Sequence, residues 1–174
     1  MTLTAKERVG RGLDLLAVGL RPFVELHMRA SASGKDWIAL LQARDELRDG
    51  RPRTYSIDDP QFVLRVLTEE WRAFGQDLTR TMRAMAEELR QARNQWAHHA
   101  SMSDDDAARA LDTMERLLSA VGAARAARGV RELRTGTHEA EPPPAAPDVL
   151  PAVEPTPAPE QAGAEIHTIR RDGV

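Results

Sequence analysis

An all-α fold, an antiparallel bundle of about five helices followed by a disordered Pro/Ala-rich C-terminal tail, is what this sequence of 174 residues predicts. Three observations point to it. Apolar residues across 1–122 recur at spacings of three and four, the period of a helix with one buried face, and no stretch reads as a strand. Residues that start and stop helices stand at the ends of these runs. Eight of the eleven prolines fall between Pro142 and Pro159, which divides the chain sharply into a folding part and a tail.

The elements follow in order. Val9, Leu13, Leu16, Leu20 and Val24 form the stripe of a first helix, in which Pro22 predicts a kink or a new first turn after Leu20. A second helix is expected from Lys35 to about Arg48 with Trp37, Leu40 and Leu41 inward, and Asp49-Gly50-Arg51-Pro52 stops it. Asp58-Asp59-Pro60 reads as a helix start, a carboxylate cap followed by proline in the first turn. Phe62, Val63, Val66, Leu67 and Trp71 make the apolar face that follows, and Gly75 ends or bends it. Leu78, Met82, Met85, Leu89, Ala92 and Trp96 then step by four and three, a heptad-like seam that needs a neighbour. Ser103 with Asp104, Asp105 and Asp106 caps a last core helix, whose Ala107, Leu111, Met114, Leu118 and Val121 keep the same rhythm to a stop at Gly122. The connection between these two helices is short, so they should pack antiparallel. Ala123 to Arg134 extends the last helix in this reading, with Arg125, Arg128 and Arg131 on one side.

Length and composition exclude several function classes. A chain of this size holds one domain with a real core. The expected division is 1–135 helical domain, 136–164 linker and 165–174 short terminal peptide. The linker is rich in Pro, Ala and Glu and has too little apolar surface to offset its ordering entropy. Its prolines favour an extended, semi-stiff spacer. Without cysteine there is no disulfide, thiolate metal site or Cys nucleophile. The charged start Met1 to Arg8 lacks the apolar centre of a signal peptide, and Leu15 to Leu20 is too short to span a bilayer. The expected setting is therefore cytoplasmic, with no membrane partner. A net charge of −3 gives no global field to attract nucleic acid. Arg outnumbers Lys heavily, which fits a GC-rich coding bias and says little about function.

The chemistry concentrates in Arg93-Asn94-Gln95-Trp96-Ala97-His98-His99. A guanidinium, an amide and two imidazoles can hold a phosphate and move a proton near neutral pH. Residues on a helix advance by about 100° each, so Asn94 and His98 share a face. Arg93 and His98, five apart, point about 140° away from each other. A two-fold axis that brings Arg93 of one chain to His98 of another removes the conflict, so the site is expected to be composite. Adjacent histidines diverge too far for a zinc pair, and carboxylate capping accounts for Asp104 to Asp106, so no metal and no cofactor is expected. Trp96 reads as core, as do Met82 and Met85. His27 on the first helix reads as a surface or satisfied histidine that could approach the site. Arg44, Arg48, Arg51 and Arg53 read as solvated surface balanced by Asp45, Glu46 and Asp49.

Arg93, Asn94 and His98 at the end of a helix, with a capped helix closely following, resemble the motif of the HEPN superfamily. The string Glu88 to His98 and the downstream Ala110 to Leu118 resemble its Swt-type branch over about residues 5–122. The resemblance implies a helical bundle that dimerises through the motif helices. It also implies a metal-independent endoribonuclease, as many members are, in a toxin–antitoxin or antiviral defence setting. In that case His98 would act as general base or acid, Arg93 would hold the scissile phosphate and Asn94 would orient His98 or the phosphate. His99 would be an accessory proton carrier or RNA contact. The alternative is a non-catalytic dimerisation or adaptor module tethered to an ATPase or defence partner; under either reading the tail is the expected link to a protein partner, an ATPase or antitoxin. A helix-turn-helix DNA binder fits less well, because no short glycine-containing turn precedes a basic helix.

Overall fold

The structure, a computed structural model, describes residues 3–98 and 101–136. The expected linker 136–164 beyond Gly136, and the terminal peptide 165–174, lie outside the described residues. Six α-helices and one 3-10 turn make up the described part, and none of it is strand.

Helix α1 (Ala5–Ser31) is the axis of the domain and packs against the third, fourth, fifth and sixth α-helices introduced below. It starts with a capping box: Thr4 Oγ1 accepts from the Glu7 N–H, and the Glu7 carboxylate accepts from the Thr4 N–H at 2.8 Å. Val9, Leu13, Leu16, Leu20, Val24 and Met28 are buried along one stripe, as the spacing predicts. Pro22 does not restart the helix. Its missing N–H leaves the Val18 carbonyl without a helical partner, at a cost of about 3 kcal/mol. Val18 and Pro22 are both exposed, so water can serve that carbonyl. Burying each large side chain of the stripe returns ~1.5–3 kcal/mol, and the sum carries the helix through.

Helix α2 (Trp37–Asp49) is capped by Asp36, whose carboxylate accepts from the Ile38 and Ala39 N–H groups, and ends on Gly50 in the left-handed region at φ 66°. Trp37 and Leu41 are buried, but Leu40 is 48 % exposed, contrary to expectation. Helix α2 docks through a narrow edge, on which the Trp37 ring stacks at 5.7 Å on Phe62 and Asp45 is fully enclosed. A one-step rotation places Leu40 outside that edge.

Helix α3 (Pro60–Glu69) begins as the sequence indicates, with Asp59 accepting from the Gln61 N–H at 2.9 Å. It stops before Trp71. A 3-10 turn (Trp71–Phe74) follows, sending Phe74 into the core against Phe23 and leaving Trp71 exposed. The tighter turn shifts the angular register, so Trp71 leaves the face that periodicity assigned to it.

Helix α4 (Arg80–His98) buries Met82, Ala86 and Leu89 and half-buries Met85, Ala92 and Trp96. Helix α5 (Asp104–Ala120) is capped by Ser103, whose Oγ accepts from the Asp106 N–H. The pair between Glu88 and Arg109, at 2.6 Å, links α4 to α5 in the order that antiparallel neighbours require. The segment 123–134 does not extend α5. Gly122, at φ 78°, turns the chain back, and α6 (Ala124–Thr135) lies antiparallel on α5 and α1. Ala126, Ala127 and Val130 are buried there, while Arg131 and Arg134 reach back to the Glu115 carboxylate at 2.6 and 3.0 Å. Ala126 and Val130 sit at helical spacing within 123–134, a signal overshadowed by its arginines.

Candidate functional site

The C-terminal half of α4 is fixed to α1 by Trp96. Its indole Nε1–H donates to the Lys6 carbonyl at 3.0 Å, and its ring lies against Gly10, where an added Cβ would sit 3.3 Å from the ring. Arg90, two turns earlier, donates to Thr68 Oγ1 at 2.8 Å and pairs with Glu69, so α3 holds the other side of α4. The motif residues thus project from a helix clamped between two neighbours.

On this helix Asn94 and His98 are one turn apart and both exposed. Arg93 is half-buried, and its Nε–H is enclosed without an acceptor. The Nε atoms of Arg8 and Arg134 share that condition, but the terminal nitrogens of those side chains pair with Asp104 and Glu115. Arg93 has no such pair with a described carboxylate. Leaving a buried donor unmet costs about 1–3 kcal/mol, more for a charged group. Arg93 is therefore a cation held in place and short of an anion.

Helix α4 stays regular through His98, so the angular argument holds for one chain: Asn94 and His98 are brought together, and Arg93 points about 140° from His98. His99 lies outside the described residues. The concave surface beside the motif, a cavity of about 470 Å³, is lined by Thr4, Lys6, Gly10, Trp96 and Met102 among others. Neither Arg93 nor His98 lines it. The chemistry of the motif thus lies outside that cavity.

Other sequence candidates acquire structural roles. His27 is bonded to the Phe23 carbonyl at 2.8 Å and to Asp77 at 3.0 Å, and packs on Phe74. It is seventeen residues along α1 from Gly10, about 26 Å, so it does not approach the motif. Asp104 pairs with Arg8, and Asp106 with Ser103. Arg44, Arg48 and Arg53 pair with Glu70 and Asp49, as expected of solvated surface.

Two further residues have surroundings that their helical spacing does not indicate. Asp45 does balance Arg44 and Arg48, each at 3.5 Å, yet it is wholly buried rather than solvated. Arg65 and the Tyr55 hydroxyl both donate to its carboxylate. Burial alone would raise this carboxyl. The hydrogen bonds from Arg65 and Tyr55, with the charges of Arg65 and Arg44, outweigh burial and hold it at about 2. Its position one turn beyond buried Leu41 was the available signal. Trp71, read as core, is exposed with the Arg83 and Arg72 guanidiniums over its ring at 5.0 and 5.6 Å. Trp71 follows Phe62, Val63, Val66 and Leu67 at regular spacing, so nothing local marked it as different.

No described helix is long and apolar enough to cross a membrane. No curated protein and no solved structure matches the chain. Residues 11–122, well over half of the sequence, match the Swt1-like HEPN family. That span runs from the second turn of α1 through α5 and includes the positions of Arg93, Asn94 and His98, so the chain belongs to the Swt1-like HEPN family.

Proposed function

We propose that this protein is a homodimeric, metal-independent endoribonuclease, with a site formed where two α4 helices meet. The observation that carries the reading is Arg93: a half-buried guanidinium with an unmet Nε–H, on the motif helix, beside exposed Asn94 and His98. A phosphodiester supplies the missing anion, and the planar fork of arginine suits its oxygens. His98 takes the proton from a ribose 2′-hydroxyl. The resulting oxygen attacks the adjacent phosphorus, the bond from phosphorus to the 5′-oxygen breaks, and the His98 imidazolium returns its proton to the leaving oxygen. The products are a cyclic phosphate and a free 5′-hydroxyl. Imidazole suits the transfer because it changes charge near neutral pH. Arg93 offsets the charge that builds on the phosphoryl oxygens, and Asn94 orients His98 from one turn away. A toxin or antiviral defence role and a cytoplasmic setting accompany this reading. So does a domain of 1–135 whose tail tethers an ATPase or antitoxin.

The second reading, a non-catalytic dimerisation or adaptor module, draws on the exposure of Asn94 and His98 outside two cavities. Neither Arg93 nor His98 lines the cavity beside Trp96 or the one bordered by Arg8, Asp104 and Leu133. The test is cleavage of end-labelled single-stranded RNA in excess chelator. Arg93→Ala and His98→Ala should each lower the rate at least ~100-fold with the sedimentation profile unchanged. Intact RNA with wild type across varied sequences, together with a weakened dimer in Arg93→Ala, would favour the second reading.

A further inference from the structure

The largest exposed apolar side chain in the described domain is Trp71, and it is bracketed by cations. We propose that Trp71, with Arg72 and Arg83, is a stacking subsite for a base of single-stranded RNA, set at the foot of the motif helix and on the line that leads to His98. The inference rests on the reading of α4 as the cleavage helix and adds to it where the strand runs.

Three features support it. The ring is held in place: the 3-10 turn is anchored by buried Phe74, and the Ala73 N–H donates to the Glu70 carbonyl at 2.8 Å. Glu70 is itself tied to Arg44 at 2.6 Å. A side chain left outside the core by so fixed a backbone is preorganised for a partner.

The charges beside it are available. Arg72 and Arg83 are exposed, and neither pairs with a described carboxylate, whereas Arg44, Arg65, Arg90 and Arg109 all do. In the free protein the two guanidiniums rest over the indole. A base that stacks on the indole displaces a weaker, solvent-exposed cation–π contact and releases a guanidinium toward the flanking phosphates. Aromatic surface for bases and cations for phosphates are the two requirements of single-stranded nucleic acid binding.

The position fits a path to the motif. Arg80, at the start of α4, and His98 are eighteen residues apart, about five turns, so they project on one line of the helix. Arg83 lies within about 60° of that line, with Asn94 between. From Arg83 to His98 the helix rises about 22 Å. That length corresponds to about six stacked nucleotides at ~3.4 Å per step. The strand would leave the reacting phosphate and run along the polar face of α4 to a base on Trp71.

The experiment measures fluorescence anisotropy with an end-labelled single-stranded RNA of about twelve nucleotides. The full chain carries His98→Ala so that the probe stays intact. Trp71→Ala should weaken binding about tenfold or more, and Trp71→Phe, which keeps a ring, should stay near the parent. Shortening the probe below about six nucleotides should remove the difference between the two variants. Unchanged binding in Trp71→Ala overturns the subsite. So does binding of no RNA by the parent. Loss of the dimer in Trp71→Ala, seen by sedimentation, also overturns it by making the ring a subunit contact. Cleavage is scored separately in proteins that keep His98. RNA bound through Trp71 but not cut would sink the nuclease reading and leave the subsite standing.

Discussion

Asp45 carries a charge where water does not reach, and it survives because Arg65 and Tyr55 replace the lost hydration. A carboxyl held at about 2 when folded and near its ordinary value when unfolded contributes about 2 kcal/mol at neutral pH. The folded value is depressed, so this stability is present above about pH 4 and lost as pH falls toward 2. Asp45→Asn should lower stability by about 3 kcal/mol at pH 7, because it strands the Arg65 guanidinium. Its loss relative to the parent should shrink in urea titrations near pH 2.5, as the parent carboxyl begins to gain a proton. An unaltered midpoint at pH 7 would show the pair to be dispensable. The same scale explains why Asp45 and Trp71 were misplaced from sequence. Each sits at an ordinary helical spacing, and only contacts with residues ten or more positions away, Tyr55 and Arg65 or Arg83, decide its surroundings.

Among the helices, α1 and its contact with α5 and α6 set the tightest fit. A Cβ built on Gly19 would stand 2.4 Å from Leu118 Cδ2 and 2.7 Å from Ala126 Cβ. The leucine tip can swing aside, but the alanine Cβ is fixed to the α6 backbone. Gly19→Ala gains about 1 kcal/mol in helix propensity and loses more, about 1–3 kcal/mol, by overpacking. Thermal unfolding should therefore show a lower Tm, where an exposed helical glycine replaced by alanine would raise it. A raised Tm would mean that α6 shifts away without cost. Helix α6 illustrates what single-element reasoning leaves out. It lies beyond the family match at 122, yet it shares the core with α1 and α5. Its separation from α5 depends on the left-handed turn at Gly122, a residue whose role as a stop is legible in the sequence and whose reversal of the chain is not.

For the whole molecule, the proposed site needs two chains, and this has a consequence that one chain cannot imitate. Arg93→Ala and His98→Ala proteins, each inactive alone, should regain activity when mixed. Half of the dimers would be mixed, each with one intact Arg93–His98 pair, so the rate should reach about a quarter of wild type. Unfolding and refolding the mixture ensures exchange, and a rate that stays at background would place Arg93 and His98 in the same subunit's site or in none. The sequence by itself determined the all-helical architecture, the starts at Asp59 and Ser103, the stop at Gly50, the α1 stripe and the motif Arg93, Asn94 and His98. Those properties are local: a helix repeats every 3.6 residues, and its ends are set by side chains within a turn of the cap. The tertiary structure alone decided that Pro22 is carried through, that Leu40 and Trp71 face outward and Asp45 inward, and that Arg90 is tied to α3 while Arg93 is left unmatched. Each of those outcomes is an energy shared between segments distant along the chain, and such an energy leaves no periodic trace in either segment.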